Sequence, residues 1–356
     1  MTANFNLDYT KTADLIAVYE KLKKPTTFLQ DRYFEDGNCF ETNEVLVEYK
    51  DGSKRLAPFV SPAINGKVVK RDKYTASAYQ PAMIAPKRPM TIDTLNKKGF
   101  GEAFYKQLSK AERAMAIAAQ DMTDMDEMIT NRKEAMCAEV MQKNALVMKH
   151  YTDDNKLDEV KEIAFYEGDT NPAVYVPSKS WDDTTAKILD DVYNIGEIMS
   201  QDGVPAVDVI MGSNVAKAFK HNEEIIKELD NRRFEIGEYK PRQLGQDAFL
   251  MATLNVDGCD FNFLHYRGWY QDDETGKIKK YIDPDSIVVT APKAGAINYG
   301  AITQIDYGEA DFKTYAQKVV PLYEVKDQTR SIILRSAPLV QPKNKNCFYV
   351  SKAIFH

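Results

Sequence analysis

Between about Ser109 and Lys149 the chain runs without Pro or Gly, and seven of its 13 methionines fall in that stretch. Met115, Ala118, Met122, Met125, Ile129, Met136 and Val140 recur at spacings of three and four, which keeps them on one side of a helix. Ser109 and Glu112 make a capping box at the start: the Glu112 amide donates to the Ser109 side chain and the Ser109 amide to the Glu112 carboxylate. At 1.5 Å per residue the predicted helix extends roughly 60 Å, longer than a small domain is wide. Such a length implies a coiled coil, a helical repeat, a spine that braces an extended subunit, or an unusually long core helix. Arg132 and Lys133 interrupt the stripe, and Met and Ala stand where a coiled-coil seam carries Leu, Ile and Val. The seam is therefore disfavoured. Methionine fills irregular gaps, which suits a helix lying against several different elements.

A chain of 356 residues with 44% hydrophobic content has room for two or three domains and a sizeable core. Its net charge is −6, with Asp+Glu 53 against Lys+Arg 47, and the two signs are interleaved. Tight nucleic-acid binding needs a concentrated basic face, so the balance argues against it while allowing DNA to be enclosed without being gripped. The first 30 residues lack the apolar core of a signal peptide, and nowhere do 18 apolar residues run together; the expectation is a cytoplasmic site of synthesis and no membrane. Cys39, Cys137, Cys259 and Cys347 lie far apart with no C-x-x-C pair, which predicts reduced, buried thiols rather than zinc ligands or disulfides.

Residues 1–43 read as an arm, with a short helix over Asp14 to Leu22 stopped by Pro25, then Phe28, Tyr33, Phe34 and Phe40 without a clean period. Val45, Val47 and Tyr49 alternate as a strand that leads through Asp51-Gly52 into a hairpin. Residues 58–89 hold five of the 15 prolines, so this part is a long two-stranded or irregular excursion and not the centre of a sheet. Lys67, Lys70, Arg71 and Lys73 lie on it; a solvated or partner-facing loop is favoured over a nucleic-acid face. Beyond the long helix, Asp182 or Asp183 caps a helix carrying Ile188, Val192, Ile195 and Met199, with Gly203 just past its end. A buried strand over Val207 to Met211 leads through Gly212-Ser213-Asn214 into a second helix with Val215, Phe219, Ile226 and Leu229. With one glycine and no G-x-G-x-x-G or G-K-[ST], that turn is a poor nucleotide site.

The segment 231–247 is a polar loop too long for a simple connector, carrying Arg232, Arg233, Glu235 and Glu238. Strands follow over Phe249 to Leu254 and Phe261 to Tyr270, with a hairpin tip at Asp272 to Gly276. Ile287 to Thr290 and Ile297 to Ile305 complete a sheet. From Lys313 the chain alternates through strands that must pair with something earlier.

Catalytic chemistry is not indicated. His150, His221, His265 and His356 form no cluster, and His265 reads as a packed, hydrogen-bonded histidine. There is no G-x-S-x-G elbow and no H-E-x-x-H helix. Asp283-Pro284-Asp285 reads as turn capping, since paired carboxylates do acid–base work only when one is desolvated. No catalytic, metal or cofactor site is expected.

The order of parts (arm, proline-rich excursion, very long helix, αβ region with a charged loop, returning strands) resembles the lambda-type tailed-phage major capsid protein family, with the α+β fold shared by Hong Kong 97 phage and herpesvirus shells. The resemblance is carried by Leu56 to Pro62 with Gly66 to Val69, by Arg232-Arg233-Phe234, by Asp283 to Val288, and by Leu334 to Leu339. It spans about residues 30 to 340. It implies an N-terminal arm (1–43), an E-loop (44–95) with contacts through Lys67, Lys70, Arg71 and Lys73, a peripheral domain (96–181 and 311–356) with a spine helix over 109–149, and an axial domain (182–310). Arg232, Arg233, Glu235 and Glu238 would then lie at a subunit interface near the capsomer centre. It further implies hexamers and pentamers in an icosahedral head around double-stranded DNA, assembled in the host cytoplasm with scaffolding, portal and possible decoration proteins. An encapsulin-like nanocompartment shell of the same fold is the alternative. The first 20 residues match nothing in the resemblance, and the 270–281 hairpin departs from it in length and sequence.

Overall fold

The computed structural model describes residues 11–22, 25, 27–50, 74–91, 110–151, 157–165, 173–230, 237–238, 242–245, 247–272, 275–326, 329–344 and 346–355. The long helix is Lys110–Lys143, 34 residues and so about 50 Å long. Its expected start at Ser109 lies outside the described residues. Its expected end at Lys149 is corrected to Lys143. Asn144 takes a left-handed backbone at φ 51, and its amide donates to the Val140 carbonyl at 2.8 Å. Asparagine is one of the few residues that adopts this conformation readily, and it stops the helix. The residues from Ala145 on belong to the strand Ala145–Tyr151, paired antiparallel with Leu157–Ala164. Leu146 and Met148 are buried, a two-residue alternation that a helical reading passes over.

The stripe faces inward much as its spacing predicts, since Ala118, Met122, Met125, Ile129, Met136 and Val140 are buried while Met115 is exposed. The helix serves two cores. Its first half packs Met122, Met125 and Ile129 against Leu15, Tyr323, Ile332 and Leu334, whereas Met136, Cys137, Val140 and Met141 join the main cluster.

The main cluster is built on an eight-stranded sheet. Its order is Arg242–Gly245, Ala248–Val256, Cys259–Tyr266, Asp208–Met211, Ser286–Thr290, Tyr349–Lys352, Ala173–Val174, with Gly237–Glu238 added on Ala248–Val256. The central strands Asp208–Met211 and Ser286–Thr290 are buried at every position, which is why they read as continuous apolar runs and not as alternation. Helices Ile188–Gln201 and Ser213–His221 cover one face, where Phe219 stacks on Phe263 at 4.7 Å. By strand alternation Tyr266 points to the opposite face and meets Phe28 at 5.3 Å. The sheet crosses the expected boundaries at 181 and 311, because Ala173–Val174 and Tyr349–Lys352 both belong to it.

Several local expectations need correcting. The helix expected to be capped at Asp182 or Asp183 begins at Ile188; the Asp183 carboxylate instead accepts from the Thr185 amide at 2.9 Å in a preceding turn. Gly203 does close that helix, at φ 79. The helix after Gly212 is two helices, Ser213–His221 and Glu223–Asp230. Asn222 is extended between them; its side-chain oxygen accepts from the Glu224 amide at 3.0 Å and its nitrogen donates to the Ala186 carbonyl at 2.9 Å. The strand expected over Ile297 to Ile305 divides at Gly300, where an added Cβ would lie 2.9 Å from Pro81. Gly295–Tyr299 then pairs with Phe34–Cys39 and Pro338–Pro342, while Ile302–Ile305 pairs with Phe312–Tyr315.

The first segment is more integrated than an arm. The short helix is Thr12–Tyr19. Phe28, Leu29, Tyr33 and Phe34 are buried in the chain's own core and do not wait for a neighbour. The last strands pair backward as expected, Val320–Lys326 with Thr329–Arg335 and the latter with Lys87–Met90.

Candidate functional site

Of the residues singled out in sequence, Lys67, Lys70, Arg71, Lys73, Arg232, Arg233 and Glu235 lie outside the described residues. Glu238 is placed by its backbone alone, in the strand Gly237–Glu238, opposite Thr253. Val45–Lys50 and Tyr74–Tyr79 do pair as the two-stranded base of the proline-rich excursion, with 51–73 joining them.

Among the described residues, the turns weighed for chemistry are structural. The Gly212 turn has no room for a phosphate: an added Cβ would lie 2.1 Å from the Asp283 carbonyl, and the Asn214 and Val215 amides both donate to the Pro284 carbonyl. Asp283 accepts from the Asp285 amide at 2.9 Å and Asp285 from the Asn214 side chain at 2.8 Å, as turn capping predicts. The His265 Nε2 is buried without a hydrogen-bond partner among the described residues, contrary to expectation. Burial, with Arg267, Lys280 and Lys220 nearby, pushes its pKa down to about 4, so it is a neutral imidazole. Among the described residues no three His, Cys, Asp or Glu side chains converge, and no helix is long and apolar enough to cross a membrane. The four cysteines are free; Cys259 is exposed, a correction to the buried reading.

What the chain builds is a set of buried polar anchors that hold remote segments in place. Glu134, 2% exposed, accepts from the amides of Leu29 at 2.8 Å and Gln30 at 3.0 Å and from the Tyr266 hydroxyl at 2.9 Å. It therefore caps a five-residue helix, Leu29–Tyr33, that has no stability of its own. Burial pushes its pKa up, against the pull of those hydrogen bonds. Asp208, fully buried, takes a two-pronged contact from Arg32 at 2.6 and 3.1 Å, the Tyr33 hydroxyl at 3.0 Å and the Asn262 amide at 2.9 Å. Asp306 accepts from Thr12 at 2.7 Å, Gln304 at 3.0 Å and Tyr315 at 2.5 Å, which ties down the first helix. Burial pushes the Asp306 carboxyl up, but those hydrogen bonds outweigh it and leave it below its ordinary value. Sequence reading missed all three. The signal was a carboxylate set inside an apolar pattern.

Among the described residues four sheets have only two strands, each with one side toward the rest of the chain or toward solvent: Val45–Lys50 with Tyr74–Tyr79, Ala145–Tyr151 with Leu157–Ala164, Trp269–Gln271 with Ile278–Lys280, and Ile302–Ile305 with Phe312–Tyr315. An isolated two-stranded ribbon is marginal in water. Each of these nevertheless exposes apolar side chains: Leu46, Val160, Trp269 with Ile278, and Ile305 with Phe312, the last 75% exposed. Apolar groups that adjoin, as Trp269 with Ile278 and Ile305 with Phe312 do, suit a surface that another chain covers, whereas single ones such as Leu46 and Val160 are ordinary.

The comparison with known proteins agrees with that reading. The sequence model for phage major capsid protein E matches residues 11–353. The chain belongs to this family. It is 22% identical over 341 residues to the major capsid protein of Enterobacteria phage phi80, covering 95% of this chain and 97% of that one. Its identity to the major capsid protein of Escherichia phage lambda is 23% over 338 residues, covering 92% and 94%. A crystal structure of a prophage capsid protein from E. coli CFT073 superposes with a TM-score of 0.65 at 17% identity, over 97% of this chain and 99% of that one. The fold is thus the Hong Kong 97-like capsid fold, and the chain is a structural subunit of a phage shell with its place in the virion.

Proposed function

We propose that this subunit tiles an icosahedral head as hexamers and pentamers, enclosing double-stranded DNA without sequence-specific contacts. The observation that carries this is the family match over residues 11–353, and the two-stranded ribbons, which leave apolar groups bare in one chain, offer surfaces for adjoining copies. Scaffolding, portal and possible decoration proteins are the expected partners, and assembly takes place in the host cytoplasm. Residues 44–95 act as the E-loop, with Lys67, Lys70, Arg71 and Lys73 facing a neighbour. The long helix is the spine of a peripheral part, and the eight-stranded sheet is the frame of the axial part. The interleaved charge, −6 in all, keeps the shell from gripping its contents. The family match favours this reading over a cargo-holding nanocompartment.

Arg232, Arg233, Glu235 and Glu238 supply opposite charges between neighbouring subunits around a capsomer axis. Reversing Arg232 and Arg233 to Glu is expected to leave a folded subunit, by circular dichroism, that forms no shells. Normal shells in electron micrographs of that variant would remove the loop from the account.

A further inference from the structure

The ribbon Ile302–Ile305/Phe312–Tyr315 has two unlike faces. On one, Ile302, Gln304 and Asp306 are buried, with Ile302 against Val320 and Ala337. On the other, Thr303, Ile305, Phe312 and Thr314 are all exposed. Register pairs Ile305 directly with Phe312 and Thr303 with Thr314, so the bare face is one continuous surface. At its base Thr303 also lines a groove of about 390 Å³, whose wall includes Pro81, Met83 and Ala337. Met83 is 47% exposed there. An apolar knob therefore adjoins a groove of mixed lining, apolar along Pro81 and Met83 and polar at Gln80, Glu159 and Lys161.

Charge adds direction. Lys161 on the groove wall is in no ion pair among the described residues, and its ammonium reaches only the Gln80 carbonyl at 3.4 Å. Asp311, next to Phe312, is exposed and likewise in no ion pair among them. Glu159 also lines the groove, so the match is the local one between Lys161 and Asp311.

We infer that this face is a contact between two copies of the chain, in which Phe312 of each enters the groove beside Met83 of the other and Asp311 meets Lys161. In that contact a two-fold axis fills both grooves at once, the isologous arrangement in which each residue pair occurs twice. The inference rests on the reading of the chain as a shell subunit.

The test uses the full chain, with wild-type particles from the same preparation as reference. Phe312→Asp changes an exposed side chain, so the subunit keeps its circular dichroism and urea midpoint, while the yield of sedimenting particles falls at least tenfold. In a second variant, Met83→Cys with Phe312→Cys on a Cys259→Ser background, a short bifunctional maleimide gives a covalent dimer in shells and none in unassembled subunit. Phe312→Asp shells at wild-type yield, or intact shells without a cross-link, would overturn the contact while leaving the shell reading standing. A cross-linked ladder instead of a dimer would overturn the two-fold arrangement.

Discussion

The eight-stranded sheet and the Ile302–Tyr315 ribbon are made of similar residues in opposite circumstances. Asp208–Met211 and Ser286–Thr290 are covered on both faces by their own chain, and even the one carboxylate there, Asp208, is fully satisfied. The ribbon satisfies one face through Asp306 and leaves Phe312 bare on the other. A subunit that finishes its frame and not its edges cannot be judged as a monomer. Its stability divides into a part present in solution and a part that appears on assembly.

Mutations separate the two parts. The largest folding effect is expected at the anchors. Glu134→Ala leaves the amides of Leu29 and Gln30 and the Tyr266 hydroxyl buried without an acceptor, and should cost about 3 kcal/mol or more in urea unfolding. Met125→Ala, in the first core of the long helix, should cost about 2–5 kcal/mol by the same measurement. Acid gives a smaller, local effect. The folded pKa of Asp306 lies below its ordinary 3.8, so its contribution is complete above that value and is lost as pH falls through the lower one. Hydrogen exchange in Thr12–Tyr19 should then accelerate below about pH 4, before the main core opens, and Asp306→Asn should abolish the pH step. Met128→Ala, on the exposed side of the long helix, should change folding by about 0.5 kcal/mol or less.

Much of this frame was legible in the sequence because burial on two faces writes long apolar runs, as at Val209 to Met211 and Ile287 to Val289. The inward stripe of the long helix was legible for the same reason, from Ala118 to Val140. Its end was not, because Asn144 stops the helix through a left-handed backbone that no composition reveals, and Leu146 with Met148 is too short an alternation to mark a strand. Glu134, next to the Arg132 and Lys133 that interrupt the stripe, shows no role of its own until its partners, more than 100 residues away, are in place. The division at Gly300 was hidden because its cause, the approach of Pro81, is a tertiary contact. The bare face of the ribbon was hidden too, since Ile305 and Phe312 look like core residues in any one-dimensional pattern.

The central claim is that copies of the chain complete what one copy leaves open, and hydrogen exchange on free subunit and on assembled shells tests it most directly. The account predicts that amides in Val45–Lys50, Tyr74–Tyr79, Trp269–Gln271, Ile278–Lys280 and Ile302–Tyr315 slow at least tenfold on assembly, while Asp208–Met211 and Ser286–Thr290 are equally slow in both. Ribbons exchanging at the same rate in free and assembled protein would contradict it.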